Sequence, residues 1–250
     1  MNIIISGALG AMGRAVGAAA ATLDITVVAG VDREASSALA YPVYAGFENA
    51  PVFADVIVDF SHPSTLPNLL AFAKTHQIPA VIATTGMSED DIAMIHEAAK
   101  SVPIFFTFNM SLGVNLLCEL ARYAAGVLGK GYDVEIIEKH HNKKIDAPSG
   151  TAIMIANAIT EALPYEPELV YDRHAVRKHR EPNEIGMHAV RGGTIVGEHE
   201  ILFCGLDEVI TLSHSASSKN VFAIGALKAA TFMADGKEPG LYNMKNMLKF

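Results

Sequence analysis

Positive charge is in short supply in this chain of 250 residues: 19 lysines and arginines stand against 27 aspartates and glutamates, a formal net charge of -8. A protein that grips nucleic acid without regard to sequence needs a basic face to neutralise phosphates, so no nucleic-acid partner is expected. Any anionic ligand must be held by a local cationic pocket. Cysteine is scarce as well. Cys118 and Cys204 lie far apart, each in an apolar run; they read as core thiols, not a disulfide framework, and fit a reducing cytoplasm. No apolar run approaches the ~20 residues that cross a bilayer. Met1 to Ser6 reads as a strand and not as a secretory leader, so a cytoplasmic protein with no membrane partner is expected. Internal repeats and low-complexity segments are also missing.

Apolar residues make up half of the chain and charged ones only 18%, enough to bury a sizeable core in one large domain or two moderate ones. Asn2 to Ser6 is a short apolar run ending in Gly7-Ala-Leu-Gly-Ala-Met-Gly13; Arg14 to Leu23 reads as an alanine-rich helix, and Ile25 to Val31 as a strand closing on Asp32. The alternation continues with strands at Asp55 to Phe60, Ala80 to Thr84 and Pro103 to Thr107. Helices at about Ser64 to His76 and Ser88 to Lys100, the latter capped by Ser88, separate them. Short continuous β-rich runs between helices imply a parallel sheet covered on both faces. The fold expected is α/β: a Rossmann-like doubly wound parallel sheet domain, then an α+β domain with a mixed sheet.

The second domain starts after Asn109, with a helix from about Val114 to Leu128, a strand from Asp133 to Lys139 and a helix from Thr151 to Leu163. Tyr165 to Gly193 reads as polar and irregular. Its basic residues Arg173, Arg177, Lys178 and Arg180 suggest a solvated loop or a subunit contact more than an anion site. Thr194 to Cys204 and Glu208 to Ser217 alternate about a Gly-Leu-Asp turn and read as an antiparallel hairpin. A helix at Val221 to Met233 is expected to return to the first domain, followed by a tail through Gly240 to Met244. The expected domains are residues 1–110 with 220–250, and residues 111–219.

Gly7, Gly10 and Gly13 have the spacing of a phosphate-binding turn, with Leu9 where a glycine is usual. Glycine lets the backbone approach a pyrophosphate, and the helix start offers free N–H groups. Asp32, ending the next strand, is placed to accept hydrogen bonds from ribose hydroxyls. A carboxylate there repels a 2′-phosphate and favours NADH, while Arg33 beside it could pair with that phosphate, so either cofactor is allowed. Two other strand ends, Ala83 to Gly86 and Thr107 to Met110, suit close contact with ribose and nicotinamide; ordinary strand-to-helix turns are the plainer alternative.

One stretch concentrates the remaining chemistry: Glu138-Lys-His-His-Asn-Lys-Lys-Ile-Asp-Ala-Pro-Ser-Gly-Thr-Ala152. His140 and Lys144 come side by side if the backbone turns, and share a face if it stays extended. Histidine donates or accepts a proton, lysine supplies a donor or fixed cation, and two neighbouring cations lower each other's pKa. The amides of Gly150 and Thr151 open a helix and suit a substrate carboxylate, with Ser149 as that helix's N-cap. A charged, solvated loop is the alternative by composition. Adjacent His140 and His141 point to opposite sides of a strand with no further ligand set, so no metal is expected.

That stretch closely resembles the signature of the 4-hydroxy-tetrahydrodipicolinate reductase (dihydrodipicolinate reductase) family. Val58-Asp-Phe-Ser61, Thr84-Thr-Gly86, Asn109-Met-Ser-Leu-Gly-Val-Asn115, Arg191-Gly-Gly193, Gly197-Glu-His199 and Gly240-Leu-Tyr-Asn-Met244 extend the resemblance along most of the chain. It implies an oxidoreductase of lysine and diaminopimelate synthesis that uses NADH or NADPH to reduce a cyclic dicarboxylate with loss of water. It implies His140 and Lys144 as the catalytic acid pair, and His141, Gly150 and Thr151 as substrate contacts. Dinucleotide contacts are implied at Gly7, Ala8, Leu9, Gly10, Ala11 and Met12; at Asp32 and Arg33; at Ala83, Thr84 and Thr85; and at Thr107, Phe108, Asn109 and Met110. Members of the family are usually homotetramers joined through the second domain's sheet. Ala11 stands where many relatives carry an arginine that contacts the cofactor phosphates, which weakens the case for NADPH. Ala83 replaces a frequent glycine.

Overall fold

A computed structural model describes residues 1–249; Phe250, the final residue of the segment expected to return to the first domain, lies outside them. The chain opens with β1 (Asn2–Ser6), α1 (Ala11–Ala21), β2 (Thr26–Val31), β3 (Val43–Tyr44), β4 (Val56–Asp59), α2 (Leu66–His76), β5 (Ala80–Ile82), α3 (Glu89–Ala98) and β6 (Pro103–Phe106). Then come α4 (Leu112–Leu128), β7 (Asp133–His140), α5 (Gly150–Thr160), β8 (Glu168–Val170), β9 (Glu184–Arg191), β10 (Gly197–Cys204) and β11 (Val209–Ala216). It closes with α6 (Asn220–Met233), β12 (Gly240–Tyr242) and α7 (Met244–Leu248). Two compact units result: residues 1–112 together with those from Lys219 onward, and Gly113–Ser218.

The first unit is a doubly wound α/β structure. Its sheet runs β12-β6-β5-β4-β1-β2-β3 with every neighbouring pair parallel. The strands read as unbroken apolar runs because both faces are covered. Ile4, Ile57, Ile82 and Ile104 pack with α2 and α3 on one side. Ile3, Ile5, Val56, Val58 and Phe105 pack with α1 and α6 on the other. Helix α1 starts at Ala11, three residues before the expected Arg14, because Gly10 is itself the N-cap. Ser88 caps α3 in a reciprocal box with Asp91. The segment read as a tail adds an edge strand, β12 beside β6.

The second unit holds a mixed sheet in the order β11-β10-β7-β9-β8. The β10–β11 hairpin is antiparallel as expected, whereas β7 and β9 are parallel. Val134, Ile136, Ile185, Met187, Ile201 and Phe203 form the face beneath α4 and α5, and Cys118 lies in that core. One expectation needs correcting: Tyr165 to Gly193 is not irregular throughout, since it supplies β8 and β9. The charges that disguised β9 are neutralised inside the chain. Buried Glu184 pairs with Arg173 and Lys178. Arg180 binds Asp133 and Glu135 and donates to the carbonyls of Val134 and Glu184. Three of the four basic residues are thus clamps on β7 and β9. Gly186 makes room for this, because a Cβ there would sit 1.6 Å from Glu135 Oε2.

Candidate active site

Strand β1 feeds the glycine turn at the carboxyl edge of the first unit's sheet. Gly7 has φ +78°, and a Cβ on it would lie 2.6 Å from the Phe60 carbonyl oxygen; one on Gly13 would lie 2.1 Å from that of Gly7. Only glycine lets the first turn of α1 settle this closely onto the loop. Gly10 offers α1 no side-chain cap, so its first amides and positive dipole end are available to an anion. Asp32 Oδ2 accepts from the Leu9 amide at 2.8 Å and Oδ1 from the Arg33 amide at 2.8 Å. The carboxylate expected to meet a ribose therefore also clasps the turn. A cleft of about 1000 Å³ opens here, lined by Gly7, Leu9, Gly10, Asp32 and Arg33 together with Phe60, Ser61 and His62. An uncapped helix start facing a carboxylate and a guanidinium in one cleft fits the pyrophosphate and ribose of a dinucleotide.

The other expected cofactor residues do not line that cleft. Ala8 is fully buried and its amide donates to the Val31 carbonyl. Ala11 is exposed at the helix start and Met12 packs against the core. Ala83 and Thr84 are buried beyond β5, and Thr85 is exposed. The Thr84 hydroxyl donates to Asp59 Oδ2 at 2.7 Å, and the Ser61 hydroxyl donates to Oδ1 at 2.6 Å, so Asp59 ties the ends of β4 and β5 together. Burial raises the pKa of this carboxyl, with the Ser61 and Thr84 bonds opposing. Beyond β6, Thr107 and Asn109 bond to one another and Asn109 Oδ1 accepts the Ser111 amide at 2.8 Å. Phe108 stands 70% exposed, edge-on to Phe106, while Met110 is buried.

In the second unit the pleat of β7 puts Val134, Ile136, Glu138 and His140 on the covered face. The face changes from apolar to polar along its length. Glu138 is 1% exposed; its Oε2 lies 2.6 Å from His140 Nδ1 and accepts Arg191 Nη1 at 2.8 Å. Its Oε1 accepts Arg191 Nη2 at 2.7 Å and the Ser149 amide at 3.0 Å. Burial alone would raise the Glu138 pKa, but Arg191, His140 and Ser149 together carry it below the usual range. After His140 the backbone turns, the Lys144 amide donating to the His141 carbonyl. Lys144 Nζ binds Asp146 at 2.8 Å, which draws the Asp146 pKa down. His140 and Lys144 thus each hold a carboxylate of their own. His141 Nδ1 is buried with no hydrogen-bond partner, and Lys143 is exposed.

Ser149 caps α5 by accepting the Ala152 amide at 3.1 Å, and its hydroxyl lies 3.1 Å from His199 Nε2. Gly150 is exposed at the helix start with open space where a Cβ would stand, and Thr151 is half-buried. His140, Glu138, Arg191, Ser149 and His199 therefore form one connected polar cluster. Among the described residues, no group of three or more His, Cys, Asp or Glu is placed to hold a metal ion. Nor is any helix among them long and apolar enough to cross a membrane.

Residues 1–110 match the family model described as dihydrodipicolinate reductase, N-terminus, and residues 113–248 match its C-terminus model. The chain belongs to the dihydrodipicolinate reductase family. A 4-hydroxy-tetrahydrodipicolinate reductase from Caldanaerobacter subterraneus subsp. tengcongensis is 52% identical over 250 residues, covering 100% of this chain and 98% of that one. One from Clostridium novyi is 44% identical over 249 residues, covering 99% and 98%. The dipicolinate-bound dihydrodipicolinate reductase from Paenisporosarcina sp. TG-14 shares the fold, with a TM-score of 0.81 at 24% identity and 98% coverage of each chain.

Sequence reasoning passed over Glu138, Arg191 and His199 as members of the site. A signal for Glu138 was present, since it stands two residues before His140 in a strand and must share its face. Arg191 and His199 sat inside motifs carrying the family resemblance, but their meeting with β7 depends on strand order, which no local spacing reveals.

Proposed function

We propose that the protein reduces 4-hydroxy-tetrahydrodipicolinate to tetrahydrodipicolinate with loss of water, using NADH or NADPH, in lysine and diaminopimelate synthesis in the cytoplasm. Membership of the family supports the reaction. The observation that carries the residue roles is the buried Glu138–His140 pair, followed at once by the turn bearing Lys144 and by the start of α5. When bound, the nicotinamide supplies a hydride to C4 of the substrate ring. His140 supplies the proton to the adjacent carbon, and Lys144, paired with Asp146, is the fixed cation of the acid pair. The two carboxylates of the substrate need two anion sites. His141, whose Nδ1 has no protein partner, and the amides of Gly150 and Thr151 at the start of α5 fill that role with Lys144. The dinucleotide lies at Gly7 to Met12, Asp32 and Arg33, with the loops at 83–85 and 107–110 completing its site. No metal takes part in this reading.

The test is NADH oxidation with substrate made fresh by the synthase from pyruvate and aspartate semialdehyde. His140→Gln and Lys144→Met should each lower kcat by about 10²- to 10⁴-fold while NADH still binds. Near-normal turnover in both variants overturns the roles. The same assay with both cofactors reads preference. Asp32, whose carboxylate repels a 2′-phosphate, supports efficient use of NADH, and strong discrimination against NADH would contradict this. A homotetramer joined through the face of the mixed sheet opposite α4 and α5 completes the reading, supported by the exposed Val190 and Val209 on that face.

A further inference from the structure

We infer that Glu138, clamped by Arg191, is the positioning residue that selects which nitrogen of His140 carries the reacting proton. The inference rests on the reading of His140 as the proton donor and goes beyond it by assigning that donor's orientation and charge.

The geometry leaves little freedom. Glu138 is 1% exposed and both of its oxygens are engaged, Oε2 by His140 Nδ1 and Arg191 Nη1, Oε1 by Arg191 Nη2 and the Ser149 amide. Such a carboxylate cannot rotate without breaking a bidentate guanidinium pair. Arg191 is itself anchored, donating to the carbonyls of Val190 at 2.8 Å and Asp146 at 2.7 Å. Nδ1 of His140 is therefore committed to Glu138, and Nε2 is the nitrogen left for chemistry. It lies over Gly197, where a Cβ would approach it to 3.2 Å. Fixing an imidazole through one nitrogen so that the other acts is the general use of a carboxylate behind a histidine.

Arg191 has a second effect. A buried carboxylate alone beside a histidine would compete for its proton. The guanidinium keeps Glu138 ionised, so the mobile proton belongs to the imidazole. In the reduction, Nε2–H gives its proton to the substrate carbon, leaving a neutral ring whose Nδ1–H remains bonded to Glu138; solvent then restores the proton. The charged and titratable groups packed against His140 are Glu138 on its own strand, Arg191 from β9 through Glu138, and His199 from β10 at 5.3 Å between ring centroids; Lys144, paired with Asp146, follows in the next turn. His214 on β11 stands behind His199, opposite it in the pairing.

Two variants move this system in opposite directions. Glu138→Gln removes the anion behind the ring, whereas Arg191→Gln leaves the anion and removes its counter-charge. The measurement is the single-turnover rate of reduction across pH, with saturating NADH and freshly made substrate. Glu138→Gln should slow the reaction by at least about tenfold, less than the 10²–10⁴ expected for losing the acid itself. It should also shift the alkaline fall in rate to lower pH. Arg191→Gln should shift that fall to higher pH. A purely structural salt bridge would lower thermal stability in both variants and leave the pH of the fall unchanged. An unmoved fall, or shifts in the same direction, overturns the inference. Either variant alone carries a sign, so failure of one to fold leaves the test intact. His140→Gln, assayed in parallel, separates the two levels. If it turns over normally, the reading of His140 as donor fails. If it is slow while Glu138→Gln matches wild type in rate and pH profile, only the positioning role fails.

Discussion

His199 sits between two other imidazoles, edge-on to His140 on one side and opposite His214 across the β10–β11 pairing on the other. Burial is the main reason its pKa falls to about 4; the charges of His140, His214 and Lys144 add to the effect and Glu138 opposes it. Its ring is thus held toward the neutral form. The consequence for stability has a definite sign. The unfolded chain takes up this proton near 6.5 and the folded chain only near 4, so between those values the unfolded state binds more protons. Its contribution is complete above pH 6.5 and declines by about 3 kcal/mol as pH falls to 4. His199→Gln should flatten the fall of the urea midpoint between pH 6.5 and 4. An unchanged slope would show that the acid sensitivity arises elsewhere.

At the level of elements, helices seat where small residues permit. A Cβ on Gly225 in α6 would lie 1.7 Å from the carbonyl oxygen of Met110, which is backbone and cannot swing away. Gly225→Ala must displace either the helix or the loop at 107–110. It should destabilise the protein by about 1–3 kcal/mol and raise KM for the cofactor more than it lowers kcat. A drop in melting temperature with cofactor KM unchanged would separate this loop from cofactor binding. The same logic explains what could be read from the chain and what could not. Strands β1, β4, β5 and β6 were legible because both of their faces are apolar, and α3 and α5 because Ser88 and Ser149 announce their caps. Strand β9 was hidden because Glu184 and His188 break its pattern. Arg173, Lys178 and Arg180, folding back onto it, make that strand tolerable, and such pairings are invisible to local spacing.

Over the whole molecule, the two units differ in how they are assembled from the chain. Gly113–Ser218 is continuous and owns its core, whereas the other unit is finished only when α6 and β12 arrive from beyond Lys219. Without α6 the sheet face bearing Ile3, Ile5, Val56 and Val58 loses Ala223, Ala226, Leu227, Ala230 and Met233. A fragment of residues 113–218 should therefore unfold cooperatively in urea by circular dichroism, and a fragment of residues 1–112 should not. A cooperative transition in the shorter fragment would show that α6 is dispensable for that core. The doubly wound plan was readable from the alternation of strands and helices. That a late helix returns to close it was suggested by a mixed sheet inserted after a parallel one, while the edge strand after it passed for a tail. This arrangement has a consequence during synthesis. Once Leu112 has been made, a ribosome adding about 5–20 residues per second needs about 5–20 seconds more to reach Lys219. For that interval the nascent chain carries a complete glycine turn on an unfinished sheet, so a growing polypeptide should be blind to its dinucleotide until α6 has emerged.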